Sequence, residues 1–210
     1  MARPIDKTLS PAAAAANNIC LAQTTAGAAN LLLNGAIAGS LDYASILSFY
    51  SAGNISTVTF TITGTDAEGG AITDTVTGIN ASTVKGTKYF LVVTSIAASG
   101  AVGTNVTVGT TGRALVSRLS GINTYSPDPY RAELIITGTA TVTLQETFDE
   151  ISSITSSSLN WYDVAGLDSV TTTNHAQGSP GATAVRVQVV STSSTPTINY
   201  RIIESHRAIS

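Results

Sequence analysis

Hydrophobic and polar positions alternate most regularly between Ser56 and Gly64. There Thr57, Thr59, Thr61 and Thr63 interleave with Val58, Phe60 and Ile62. A period of two places the hydroxyls on one face and the apolar groups on the other, the signature of a half-buried antiparallel strand. Asp66-Ala67-Glu68-Gly69-Gly70 follows, and AITDTVTGI then resumes the alternation. The spacing predicts a β-hairpin over residues 56–79, since Asp and Gly tolerate the backbone angles that a tight turn demands. The segment TKYFLVVTSI (87–96) is apolar on both faces: Tyr89, Leu91 and Val93 point one way, Phe90 and Val92 the other. It reads as a central strand covered on both sides or as a strand whose outer face meets another molecule.

Shorter apolar segments complete the first half: NICLAQT, ANLLLNG, YASILSFYSAG and TNVTVGT. About seven strands between residues 17 and 112 suit a Greek-key sandwich of immunoglobulin-like size. RALVSRLSGINTYSPDP (113–129) breaks the alternation and ends in two prolines, so a linker is expected there. Strands resume at RAELIIT and TATVTLQET; LNWYDV, ATAVRVQVV and PTINYRII follow. The expected fold is all-β: two tandem antiparallel β-sandwich domains, immunoglobulin-like or jelly-roll-like, at 17–112 and 130–210. Residues 1–16, with two prolines and an Ala run, read as an N-terminal extended arm or one short helix.

Composition agrees and narrows the function. Of 210 residues, 32 are Thr and 24 are Ser, while only 11% are charged. Disordered chains need low hydrophobicity and high charge, and this chain is 43% hydrophobic. Its β-branched residues favour strands. The net charge of -3 and ten scattered Lys and Arg argue against a nucleic-acid partner. No stretch reaches the roughly 18 apolar residues needed to cross a bilayer as a helix. The Ala run before Asn17 and Asn18 is too short for a secretion signal, so the expectation is a chain that works without export.

Candidate chemistry is sparse. Cys20 is the only cysteine, which reads as a small buried hydrophobe, and His175 and His206 stand far apart and read as a loop residue and a tail residue. Asp66 with Glu68 suits a turn better than calcium. Glu146 with Asp149 and Glu150, and Asp163 with Asp168, are the other acidic candidates that lie close in sequence. No phosphate-cradling glycine motif occurs. Trp161 and Tyr162 could serve as a sugar-stacking platform, although core packing is the expected role for the single Trp. The chain is expected to be no enzyme and to hold no cofactor or metal.

The runs TFTITGTDAEGGAITDTVTG, TKYFLVVTSI and TNVTVG resemble the N-terminal part of small structural proteins of tailed bacteriophages, and ITGTATVTLQETF, NWYDV and ATAVRVQVV resemble their C-terminal part. The resemblance spans about Gln23 to Ile203 and carries no catalytic motif. It implies a virion component: a capsid decoration (cement) protein or head fibre on the capsid surface, binding the major capsid protein, with self-association as a homotrimer. The alternative is a tail, fibre or baseplate component contacting host glycans. The expected partner contacts are Arg3, Ile5 and Leu9 in the arm, and Leu91 and Val93 in the doubly apolar strand.

Overall fold

The structure, a computed structural model, describes residues 4–12, 15–34, 43–110, 114–122, 128–151, 159–192 and 195–204. Every regular element among them is a strand, and the strand pairings described below are antiparallel. The chain divides into two compact units, residues 14–113 and residues 114–210 joined by residues 1–13.

In chain order the strands are β1 (Ile5–Leu9), β2 (Cys20–Thr25), β3 (Ala29–Asn30), β4 (Tyr43–Ser51), β5 (Thr59–Thr65), β6 (Ala71–Thr77), β7 (Thr83–Phe90), β8 (Val92–Ala98), β9 (Val102–Gly109), β10 (Leu115–Ser117), β11 (Ser120–Gly121), β12 (Arg131–Thr137), β13 (Ala140–Thr147), β14 (Tyr162–Asp163), β15 (Asn174–Gln177), β16 (Ala184–Thr192) and β17 (Thr197–Ile203).

The 14–113 unit is β-sandwich-like. One sheet runs β7-β4-β9-β2, the other β3-β8-β5-β6. The inward-facing members of the alternating strands, Phe60 and Ile62 on β5 and Ile72 and Val76 on β6, enter a core with Leu47, Phe49, Phe90, Ile96 and Val106. Phe49 of one sheet stacks on Phe60 of the other with centroids 4.9 Å apart, within the range in which aromatic pairs attract beyond their burial. The predicted hairpin is present in full register, from Thr59 opposite Thr77 to Thr65 opposite Ala71. Its turn is built by Asp66, whose Oδ1 accepts hydrogen bonds from the backbone N–H of Glu68 (2.9 Å) and Gly70 (2.8 Å). Gly69 supplies the positive φ of 88°, a conformation that costs glycine nothing.

The doubly apolar segment 87–96 is two strands. β7 pairs with β4 and β8 with β5, so the chain crosses from one sheet to the other at Leu91. A strand that changes sheets presents inward side chains of opposite parity before and after the crossing, which is why both phases of its sequence are apolar. Leu91 is 3% exposed and Val93 6%. Both expected contact residues are therefore core residues.

The other unit pairs β1-β17-β12-β15 in one sheet and β14-β13-β16-β10 in a second, with β11 also on β16. Leu134, Leu144, Leu167, Val185, Val187, Ile198 and Ile202 are fully buried in this unit. Its first strand comes from the segment expected to be an arm. Ile5 to Leu9 pair with Ile202 to Ile198, and Leu9, offered as a partner contact, is 2% exposed. Ile5 is partly buried on the same strand; Arg3 lies outside the described residues. The expected linker is also corrected in part, because Leu115–Ser117 and Ser120–Gly121 are ladder strands on β16. Lys7 is exposed on edge strand β1, opposite Tyr200, and a lysine on an edge discourages another strand from adding there.

Candidate functional site

An open groove of about 430 Å³ lies on the β15-β12-β17 sheet, lined by Arg131, Glu133, His175, Gln177, Arg201 and Ile203 with the backbone-proximal Ala132 and Ala176. Register explains its chemistry. Across four strands Asp6, Arg201, Glu133 and His175 stand directly opposite one another, and in the neighbouring row so do Ile203, Arg131 and Gln177. Arg201 donates to Asp6 Oδ2 at 3.0 Å and lies 3.7 Å from Glu133 Oε2, so its charge is shared by two carboxylates. The Arg131 side chain forms no ion pair or hydrogen bond among the described residues, and Glu133 Oε1 accepts none. His175, expected in a loop, is an exposed residue of edge strand β15. The tetrapeptide Asn-His-Ala-Gln carries no period-two contrast, so nothing in the sequence marks it as a strand.

The carboxylates singled out in the sequence are dispersed. Glu146 is 4% exposed. Its Oε2 accepts from the Tyr130 hydroxyl at 2.7 Å and the Ser179 N–H at 3.0 Å, and its Oε1 accepts from Ser179 Oγ at 2.5 Å. Burial, then the hydrogen bond and charge of Glu146, push the Tyr130 phenol well above its ordinary value. This cluster ties three chain segments together, and Gly178 makes room for it: a Cβ there would lie 1.9 Å from Tyr130 Cζ. Asp149 accepts from the Asn160 backbone and side chain instead. Asp163 accepts from Gln145 at 2.8 Å, and Asp168 from Thr143 and Ser169. No three of these groups converge among the described residues.

Asp74, which the sequence reading passed over, is the best-held carboxylate of the 14–113 unit. It accepts from the backbone N–H of Thr87 (2.7 Å), Lys88 (3.1 Å) and Thr75 (2.9 Å) and from the Thr87 hydroxyl (3.0 Å). It thereby clasps edge strand β6 of one sheet to β7 of the other. Burial raises its carboxyl, but these donors outweigh burial and hold it below the ordinary range. Cys20 is buried, and burial pushes its thiol up to about 12.

The aromatic pair divides. Trp161 is partly buried with the Arg186 guanidinium 4.2 Å from its ring centroid; Arg186 in turn donates to Gln145 at 2.8 Å. Tyr162 is 55% exposed and meets Phe148, 45% exposed, with centroids 5.8 Å apart. The third surface feature is a threonine ladder. On the outward face of β5 and β6, Thr59, Thr61 and Thr63 stand opposite Thr77, Thr75 and Thr73, and Ser95 on β8 stands opposite Thr63.

These features define an all-β, β-sandwich-like protein with an open polar groove on one unit and an uncharged hydroxyl face on the other. In comparisons with protein-family models, curated protein sequences and solved structures, nothing matches this chain.

Proposed function

We propose that the chain is a non-enzymatic structural protein of a bacteriophage virion, a decoration protein that binds the major capsid shell as a homotrimer. In this reading the units are tandem sandwich domains of the immunoglobulin-like or jelly-roll kind, and the 14–113 unit grips the shell. The observation that carries it is the threonine ladder, with Thr61, Thr63, Thr73 and Thr75 exposed. Paired hydroxyls and methyls without charge can form many hydrogen bonds across a close contact while little repulsion opposes neighbouring copies. The resemblance of the hairpin to phage head proteins supports the same assignment. Residues 5–9 are engaged in β1, so the shell contact passes from the arm to this face.

The test is occupancy of undecorated capsids by the purified chain, imaged by electron cryomicroscopy. The wild type is expected to bind, and the double variant Thr61→Lys/Thr75→Lys, which changes only exposed positions, to bind weakly while remaining folded. Full occupancy by that variant, or none by the wild type, overturns the proposal. A second reading, a fibre or baseplate component that contacts host glycans, is favoured by the exposed Phe148 and Tyr162 rings; unchanged glycan-array binding by Tyr162→Ala would remove its support.

A further inference from the structure

We propose that the groove on the β15-β12-β17 sheet is a binding site for an acidic saccharide, a sugar ring bearing one carboxylate. The inference rests on the groove alone and stands whether or not the threonine face binds a shell.

Three properties of the lining fit this ligand together. Arg131 brings a guanidinium with no ion-pair partner among the described residues, and a guanidinium meets a carboxylate through two parallel N–H donors. The other arginine does not compete, because Asp6 and Glu133 already share Arg201. Glu133 contributes the free acceptor Oε1, and Gln177, opposite Arg131, contributes an amide that both donates and accepts. Ring hydroxyls satisfy both. Ile203, 46% exposed on the other side of Arg131, offers an aliphatic surface to the C–H face of a ring. The volume of about 430 Å³ lies within the range of small-ligand sites.

The same lining disfavours the two nearest competitors. Inorganic phosphate brings at most two hydroxyl donors, both on the charged group itself, and its dianion is repelled by the Glu133 carboxylate more strongly than a single sugar carboxylate is. A neutral sugar leaves Arg131 unanswered. The carboxylate and the hydroxyls are needed on one small molecule, at the spacing of neighbouring sheet positions.

The test is an amide NMR titration of the full chain with glucuronate, glucose, inorganic phosphate and N-acetyl-aspartate amide in turn. Glucuronate is expected to shift the amides of β12, β15 and β17 saturably, with glucose, phosphate and the aspartate derivative much weaker at the same amides. Arg131→Gln, a change at an exposed position, is expected to weaken glucuronate binding at least about tenfold, the scale of a lost charge-assisted hydrogen bond, with the remaining spectrum unchanged. Gln177→Ala should weaken it less. Absence of saturable shifts with glucuronate, equal shifts with phosphate or the aspartate derivative, or undiminished binding by Arg131→Gln would each overturn the proposal.

Discussion

Both units bury a carboxylate, and they hold it in opposite ways. In the 14–113 unit Asp74 is held by three backbone N–H groups and one hydroxyl, all within fourteen residues of it. In the other unit Glu146 is held chiefly by side-chain hydroxyls, those of Tyr130 and Ser179, from segments 16 and 33 residues away. Backbone donors cannot be mutated away and cost no side-chain ordering. Side-chain donors must themselves be buried and fixed, so the second clasp depends on its surroundings, down to the missing Cβ of Gly178. The comparison separates a clasp built on nearby backbone donors from one built on side-chain donors brought from distant segments.

The largest effect should come from breaking the aromatic core. Phe60→Ala removes a fully buried ring stacked on Phe49, and a change of that kind costs about 3–5 kcal/mol. Hydrogen exchange should show the loss at the amides of β5 and β8, with those of β12 and β17 protected as before. Equal loss of protection in both groups would mean that the units do not respond separately.

Next in size is Glu146→Ala. It leaves the Tyr130 hydroxyl and two Ser179 donors without their acceptor, and a buried donor so stranded costs about 1–3 kcal/mol. Trp161, the only tryptophan, lies in the same unit, so its fluorescence should report a lower urea midpoint. Asp74→Ala strands three backbone donors in the 14–113 unit. Its effect should appear in exchange at β6 and β7 while the Trp161 signal stays in place.

The two clasps should also fail at opposite ends of the pH scale. Asp74 sits below its ordinary value in the folded chain because backbone donors outweigh burial. The unfolded chain therefore takes up its proton first, and the stabilisation is fully present above about pH 3.9 and lost as pH falls through the folded value. Tyr130 sits above its ordinary value through burial and Glu146. Its contribution is present below about pH 10 and lost as pH rises beyond that. Asp74→Asn should flatten the acid limb of stability in β6 and β7, and Tyr130→Phe the alkaline limb read by Trp161. An unchanged pH profile in either variant would remove that carboxylate or phenol from the account.

The same contrast governs what could be read in advance. The β5-β6 hairpin was legible because Thr57 to Thr63 alternate cleanly with apolar residues and Asp66 to Gly70 mark the turn, all within one short window. β1, β10, β11 and β15 were not. They are short, and their partners lie up to 197 positions away, as Ile5 lies from Ile202. Their hydrophobic contrast is weak, so tertiary pairing alone makes them strands. Leu91 and Val93 misled for a different reason: a strand that changes sheets imitates one that is exposed on a second face. The groove was invisible because Arg131, His175 and Arg201 become neighbours only through the register of three strands.

The smallest expected effect tests what holds β1 in place. Arg201 pairs with Asp6 of β1 at 3.0 Å, but the two side chains are 44% and 55% exposed. An ion pair so open to solvent is worth about 0–1 kcal/mol and less at high salt. Leu9, by contrast, is buried opposite Ile198, and truncating a buried leucine costs about 2–5 kcal/mol. Arg201→Gln should therefore leave the β1 amides nearly as protected as in the wild type, and Leu9→Ala should expose them. If Arg201→Gln released β1 instead, the edge strand would be held by charge, and salt alone should then detach it.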